Sequence, residues 1–394
     1  MKSVIAFLIV LFICAAMLYI PVLAEESEPN TAAQISGEQD IPPDIDDYGA
    51  AKLNEALPDE ASRVLEEYDV SPDNGGALNM GAGDVFSYIV GVFSEQAKKP
   101  LVMLFSLLGI VLLYAALESL RDTSGSFKSS ASNGAGDAFA IVAVVAGAVM
   151  ISTHISECVL SIVAGLSAWG VFLGTFIPVF AGIMAITGQL ATAGLFASIM
   201  VVAIQFFMQV VAAVLTPLTG CILGISVAGA ITPSLNIDKL ASLIKSVVVW
   251  GLGLITVIFV GMLSLQSMVT ASADSVGMKA AKFAVSGAVP FIGSAVGDAL
   301  ATVRGSMGVI KASTGTFGII AGLVIIAPSI ILAVCYKFAL TISHSVSDLF
   351  GLSRLSLLIK SGENVIKIVI ALITCFSLLA TVSIALILVI GRGE

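Results

Sequence analysis

Charged residues are scarce in this chain. They make up 11% of its 394 residues, whereas 58% are hydrophobic, and the mean hydropathy is +1.05. A soluble globular domain carries about 25% charged residues, so this composition excludes an ordinary soluble protein. Several apolar runs exceed the length of about 20 residues that a helix needs to cross a bilayer. The sequence therefore predicts an all-α polytopic integral membrane protein.

Signatures of catalysis and of metal binding are also missing. The chain has two histidines and contains no H-E-x-x-H, no G-x-x-x-x-G-K-[ST] phosphate loop and no G-x-S-x-G nucleophile turn. Its five cysteines show no C-x-x-C spacing, and four of them lie in or beside apolar runs, which is typical of small buried side chains. We expect no enzyme, and no catalytic, cofactor or metal site.

One tetrapeptide resembles a catalytic motif. Gly-Ala-Gly-Asp occurs at 81–84 and at 134–137, and it matches the G-x-G-D of intramembrane aspartyl proteases. That chemistry needs two carboxylates that share a proton, and no predicted span holds a second aspartate. The preferred interpretation is that Asp137 caps a helix beginning near Ala138, where backbone N–H groups lack partners.

The amino-terminal part differs from the rest in pattern and in charge. Residues 1–24 have one lysine, an apolar core and a Val-Leu-Ala ending, which predicts a cleaved signal peptide; an uncleaved first anchor is the alternative. Residues 25–99 hold 17 acidic and four basic residues. We expect them to form an acidic extracytoplasmic segment, partly disordered with short helices, that does not bind nucleic acid.

The pattern of residues 100–394 is that of a helical membrane domain. We predict seven or eight transmembrane helices, with a re-entrant piece as the alternative for the short, glycine-rich fifth. Their ranges are 101–120, 138–158, 160–186, 190–214, 218–232, 247–269, 317–340 and 365–391. With the amino end outside, six bases fall in the cytoplasm, as the positive-inside rule requires: Arg121, Lys128, Lys239, Lys245, Arg354 and Lys360.

Two kinds of side chain predict packing between these helices. Small residues recur four apart, as in Gly170 with Gly174 and Gly318 with Gly322, and this spacing lets helix backbones approach closely. Gln205 and Gln209 share one face of the fourth span. We expect them to hold neighbouring helices by hydrogen bonds, with a pore-lining role as the alternative.

Residues 270–316 fit neither a span nor a soluble loop. The segment is rich in small residues, and Pro290 divides it, so we predict an amphipathic hairpin of two short helices before the last two spans. Ionisable groups at membrane depth face protein or water rather than lipid. The hairpin therefore lines an aqueous path or docks a partner; lying flat on the outer leaflet is the alternative. The candidate residues are Asp274, Lys279, Lys282, Pro290, Gly293, Gly297, Asp298, Arg304 and Lys311.

The same region resembles a known family. Two stretches are similar to the stage III sporulation protein AE family: GLGLITVIFVGMLSLQSMVTASADSVGMKAAKFAVSGAVPFIGSAVGDALATVRGS and, after it, IKASTGTFGIIAG. LLYAALESL and TFIPVFAGIMAITGQLATAGLF resemble its earlier spans. The chain departs from the family at 286–289, where asparagine is frequent, and at Ala301, where the family has aspartate. The matching residues, in order, are Asp274, Lys279, Lys282, Pro290, Gly293 and Asp298.

The resemblance implies a part in endospore formation. Members of the family lie in the mother-cell membrane around the forespore, in an assembly that forms a channel or secretion-like conduit and sustains forespore development. We therefore expect a multi-span component of that conduit. Its expected partners are the other membrane proteins of the stage III sporulation A complex, their forespore partner, the lipid bilayer and further copies of this chain. A stand-alone small-solute transporter or exporter is the alternative.

Overall fold

The computed structural model describes residues 50–72, 82–123, 130–212, 237–288 and 293–390, together with Gly220 and Gly224. Within these residues all regular secondary structure is helical, which confirms the predicted all-α class. The predicted signal peptide lies outside the described residues, and so does the short fifth span apart from Gly220 and Gly224. The helices are α1 Ala50–Glu55, α2 Asp59–Glu67, α3 Ala82–Gln96, α4 Lys98–Thr123, α5 Ser130–Ile186, α6 Leu190–Val210, α7 Ile237–Ala288, α8 Gly293–Leu349 and α9 Ser353–Ile390.

Six of the described helices, α4 to α9, are long and apolar enough to cross a membrane. Seven or eight were predicted, and the difference has two causes. The predicted spans 138–158 and 160–186 form one continuous helix, α5, and only two residues of 218–232 are described. His154 and Glu157, near the predicted boundary, have side chains 23% and 55% exposed. Helix α5 therefore continues past these polar residues without fully burying them.

Helix α5 also begins earlier than expected. It starts at Ser130, so Asp137 lies inside the helix rather than at its amino end, and the helix-cap interpretation of Asp137 is wrong. With 57 residues each, α5 and α8 are about 85 Å long. That length is more than twice the hydrocarbon thickness of about 30 Å, so both helices extend beyond a single bilayer core.

The core is built around α8, which packs against α3, α4, α5, α7 and α9. On α5 an aromatic ladder faces it: Trp169, Phe172, Phe176 and Phe180 are buried, and consecutive ring centroids are 5.6, 5.8 and 5.3 Å apart. Gly318 and Gly322 of α8 lie so close to Phe176 and Trp169 that a Cβ atom would overlap the rings. At this glycine pair aromatic side chains of α5 thus pack directly on the backbone of α8, whereas the spacing predicted a close approach of two backbones.

Pro328 lies inside α8 without ending it. Proline has no N–H, so the carbonyl group of Val324, four residues earlier, loses its helical donor. The hydroxyl of Tyr88 on α3 donates to this carbonyl oxygen at 2.8 Å. Burial raises the pKa of the Tyr88 hydroxyl above its usual range, so the group remains a neutral donor. The contact between α3 and α8 thus satisfies the backbone group that the proline leaves free.

The two short amino-terminal helices pack on the long ones. Helix α1 contacts α5, and α2 contacts α8. Ala61 and Leu65 of α2 are buried, whereas its first turn carries two acidic residues. The Ser313 hydroxyl of α8 donates to the carbonyl oxygen of Pro72 at 3.3 Å. This contact fixes the amino-terminal helices beside the stretch of α8 that contains Ser313.

Candidate functional site: a polar junction at the base of the hairpin

The segment singled out in the sequence is formed by the ends of two long helices. Helix α7 continues to Ala288 and α8 begins at Gly293. The break predicted at Pro290 falls on residues 289–292, which lie outside the described residues. Neither arm is a short separate helix, because each continues into a helix of membrane length. From here on, the hairpin means residues 275–310, the part of the predicted 270–316 segment between Asp274 and Lys311.

Asp274, at the base of the hairpin, caps a different helix. The backbone N–H groups of Ala191 and Thr192 donate to its two carboxylate oxygens at 2.8 and 3.0 Å, and the Thr192 hydroxyl donates at 2.6 Å. These are early N–H groups of α6, which an N-cap side chain normally satisfies; Gln189 at the N-cap makes no such bond. The carboxylate also complements the positive end of the α6 dipole.

Lys311 caps the opposite kind of helix end. Its side chain is buried, with 5% of the residue exposed. The ammonium group donates to the side-chain oxygen of Gln189 at 2.7 Å and to the carbonyl oxygen of Ile387 at 3.3 Å. Ile387 belongs to the last four residues of α9, whose carbonyl groups lack helical partners and favour a cation. Lys311 therefore links the end of α9 to the turn between α5 and α6.

The hydroxyl oxygens of Thr192 and Thr270 lie 3.0 Å apart. With the contacts above they form one layer, which we call the polar junction: Gln189, Thr192, Thr270, Asp274 and Lys311. Beside it lies a small cavity lined by Thr192, Gln266 and Thr270 among apolar side chains. The buried side-chain oxygen of Gln266 accepts no hydrogen bond from the described residues. The space is about that of one water molecule, and Gln266 and the two threonines can bind it.

A second layer of charges lies at the other end of the same helices. The Lys245 ammonium on α7 donates to the side-chain oxygen of Asn364 on α9 at 3.2 Å. Lys367 and Glu363 form an ion pair at 2.6 Å, and the Thr341 hydroxyl of α8 donates to Glu363 at 3.0 Å. We call these five residues the far polar layer. They tie α7, α8 and α9 together at one level.

Between the two layers the helices carry no charged residue. The charge-free runs are 246–273 in α7, 312–336 in α8 and 368–390 in α9. At about 1.5 Å per residue, these runs of 28, 25 and 23 residues are about 42, 38 and 35 Å long. A bilayer has a hydrocarbon core of about 30 Å and a total thickness of about 40–45 Å. The two layers are therefore about one membrane thickness apart.

The polar junction brings together only two of the predicted site residues, Asp274 and Lys311. Lys279 lies on the hairpin with its side chain exposed. Gln205 and Gln209 are exposed on α6. Their roles stay predictions. Five further candidates lie on described helices, but their side chains are outside the described set: Lys282, Gly293, Gly297, Asp298 and Arg304.

Sequence reasoning missed the partners of these charges. Gln189 and Thr192 lie 122 and 82 positions away from Lys311 and Asp274, and no local pattern connects residues so far apart. The polar character of Gln189 at a break between two apolar runs was the one available signal. Tyr88 was also missed, although an in-helix proline at 328 implies a carbonyl group at 324 that needs a donor.

Three long helices whose charge-free runs lie between two polar layers define the class of the protein: it is a multi-pass helical membrane protein. The chain belongs to the stage III sporulation protein AE family, whose model matches residues 70–391, and the resemblance drawn from the sequence is confirmed. Membership implies a role in sporulation.

One relative supports the assignment. The chain is 25% identical over 225 residues to the stage III sporulation protein AE of Bacillus subtilis (strain 168), and the match covers 56% of this chain and 55% of that protein. The chain thus aligns with about half the length of this curated relative. No solved structure matches.

Proposed function

We propose that this chain is a multi-span membrane component of the channel or secretion-like complex that links mother cell and forespore during endospore formation. In this proposal it lies in the mother-cell membrane around the forespore, and it acts as a platform or pore component rather than as an enzyme. Its partners are the other membrane proteins of the stage III sporulation A complex and their forespore partner. The family match over residues 70–391 is the observation that carries the proposal.

The two polar layers support an orientation in this membrane. We place the hydrocarbon core between them, with the polar junction and the hairpin on the extracytoplasmic side, toward the forespore. The far polar layer, which includes Lys245, then faces the mother-cell cytoplasm. Arg354 and Lys360 lie on the same side, in agreement with the positive-inside rule. Lys311 lies on the extracytoplasmic side in this orientation and is therefore an exception to the rule. Its ammonium group is held at the end of α9 instead of being free in the intermembrane space.

An apolar surface beyond the far polar layer favours a complex over a stand-alone transporter. The amino half of α5 packs there on α9, as the contact between Gly147 and Leu355 illustrates. Its outer side exposes Val142 by 65% and Val149 by 63%. Apolar surfaces outside the bilayer core are typical of sites for other subunits. The charge-free runs also hold no acidic, basic or histidine residue that could bind a coupling ion at mid-membrane.

Deletion and complementation in the source organism test this function. Loss of the gene is expected to abolish heat-resistant spores and a late forespore-specific reporter, while vegetative growth is unchanged. A fluorescent fusion is expected to encircle the forespore, and affinity purification from sporulating cells is expected to recover the other proteins of the complex. Normal spores in the deletion strain, or purification of the chain without those proteins, would contradict the proposal.

A further inference from the structure

The hairpin exposes a mixed basic and apolar surface beyond the polar junction. Helix α7 continues for 14 residues after Asp274, and α8 begins 18 residues before Lys311, so its arms extend about 21 and 27 Å further. Val276 and Phe283, seven residues apart on α7, are 66% and 82% exposed, and Lys279 between them is also exposed. A lysine flanked by apolar side chains is suited to an acidic segment that also carries apolar residues.

The chain itself contains a segment of this kind. Residues 25–49 hold eight acidic residues and no basic one, with three interspersed isoleucines at 35, 41 and 45. The hairpin has the opposite balance, with three basic residues and one acidic residue over 275–310. The two stretches are therefore complementary both in charge and in their apolar side chains.

Residues 25–49 are attached to short helices that lead to the base of the hairpin. They precede α1, which together with α2 packs on α5 and α8. The bond from Ser313 to Pro72 places this unit two residues from Lys311, at the base of the hairpin. At about 3.3 Å per residue, 25 residues span up to about 80 Å. That reach exceeds the length of either hairpin arm.

We propose that residues 25–49 dock on the hairpin of the same chain, with carboxylates at Lys279 and isoleucines against Val276 and Phe283. An exposed ion pair contributes little by itself, about 0–1 kcal/mol. The tether, however, keeps the segment at an effective concentration of the order of millimolar, so several weak contacts together hold it in place. Because such contacts are screened, the docking weakens as salt is raised. This inference is independent of the proposed function in sporulation.

The test follows the accessibility of the hairpin in the full-length chain. In a cysteine-free background, reconstituted in phosphatidylcholine vesicles, Ala280→Cys is labelled with a neutral water-soluble maleimide. Replacing the eight carboxylates of 25–49 by amides is expected to raise the labelling rate several-fold at low salt. Molar salt is expected to raise the rate of the parent chain to the same level. A matched control, Leu349→Cys, is 82% exposed at the other end of α8, and its rate is expected to stay constant.

A charge swap tests whether Lys279 is the contact. Lys279→Glu is expected to remove the protection of Ala280→Cys, and adding Asp46→Lys with Asp47→Lys is expected to restore it. Equal rates in the parent and amide variants would overturn the proposal. So would protection that appears only when the vesicles contain phosphatidylglycerol, because the occupant would then be an anionic lipid surface. Protection lost on dilution of the protein in the vesicles would identify a second copy instead, and would also overturn it.

Discussion

Three buried or half-buried polar side chains pair with backbone groups that a helix cannot satisfy by itself. Tyr88 donates to the carbonyl group freed by Pro328, Asp274 accepts from the first turn of α6, and Lys311 donates to the last turn of α9. A buried backbone group without a partner costs about 1–3 kcal/mol. Each of these side chains therefore fixes the position of one helix relative to another.

Tyr88→Phe is expected to lower the free energy of unfolding by about 1–3 kcal/mol, because the Val324 carbonyl group then has no donor. Pro328→Ala restores the backbone N–H, so Tyr88→Phe is expected to cost much less in that background. Thermal unfolding in detergent, measured for both single variants and the double variant, gives the coupling energy. Additive costs would show that the tyrosine acts through packing alone.

The contribution of the two charges of the polar junction to stability can be compared with that of an exposed charge nearby. Asp274→Asn removes the negative charge from the start of α6, and Lys311→Met leaves Gln189 and Ile387 without a donor. Each is expected to lower the free energy of unfolding by about 1–2 kcal/mol. Lys279→Met, at an exposed position of the hairpin, is the control and is expected to change it by less than about 0.5 kcal/mol.

The same variants address the prediction that these residues line an aqueous path. A capping role predicts that any loss of sporulation by Asp274→Asn follows the loss of folded protein in the membrane. If Asp274→Asn unfolds at the parent temperature yet abolishes spore formation, the carboxylate acts in a path or on a partner and not as a helix cap. Quantitative blotting of membranes beside spore counts distinguishes the two roles.

Among the helices, the parts predicted correctly are those that depend on local signals. Runs of apolar residues located α4, α6, α7, α8 and α9. The division of α5 was wrong because the helix continues past His154 and Glu157, whose side chains are partly exposed and so do not require a helix end. The polar junction depends on tertiary contacts between distant positions, which a single sequence does not encode locally.

Gly322 on α8 and Gly174 on α5 each belong to a pair of glycines four residues apart, and the packing of α5 on α8 predicts different effects for them. Gly322→Ala places a methyl group into the Trp169 ring, and such overpacking is expected to cost about 1–3 kcal/mol of unfolding free energy. Gly174→Ala meets no atom within 4 Å, and it is expected to be neutral or to stabilise α5 by up to about 1 kcal/mol. Thermal unfolding in detergent measures both.

Shortening the tryptophan provides the control for this prediction. Trp169→Phe removes the part of the ring that faces Gly322, so Gly322→Ala is expected to be tolerated better in that background than in the parent. If Gly322→Ala unfolds at the parent temperature, the helices separate at no cost and the tight contact does not contribute to stability.

For the whole molecule, the two polar layers divide one elongated bundle into regions with different surroundings. The charge-free runs between the layers match a bilayer in thickness, and the hairpin lies beyond one layer. The amino half of α5 lies beyond the other. Helix α7 is suited to a test of this division, because it crosses both layers and exposes large apolar side chains along most of its length.

Spin labels along α7 are expected to report this division. Single cysteines at Val247, Ile258, Met268 and Phe283 occupy positions that are 60%, 57%, 67% and 82% exposed. Oxygen concentrates at the bilayer centre and a polar nickel chelate stays in water. The ratio of oxygen to nickel accessibility should therefore be highest at Ile258, which lies about midway between Lys245 and Asp274. It should fall at Val247 and Met268 and be lowest at Phe283.

A ratio at Phe283 as high as that at Ile258 would place the hairpin within the hydrocarbon. The polar junction would then mark a buried site inside the membrane instead of its edge.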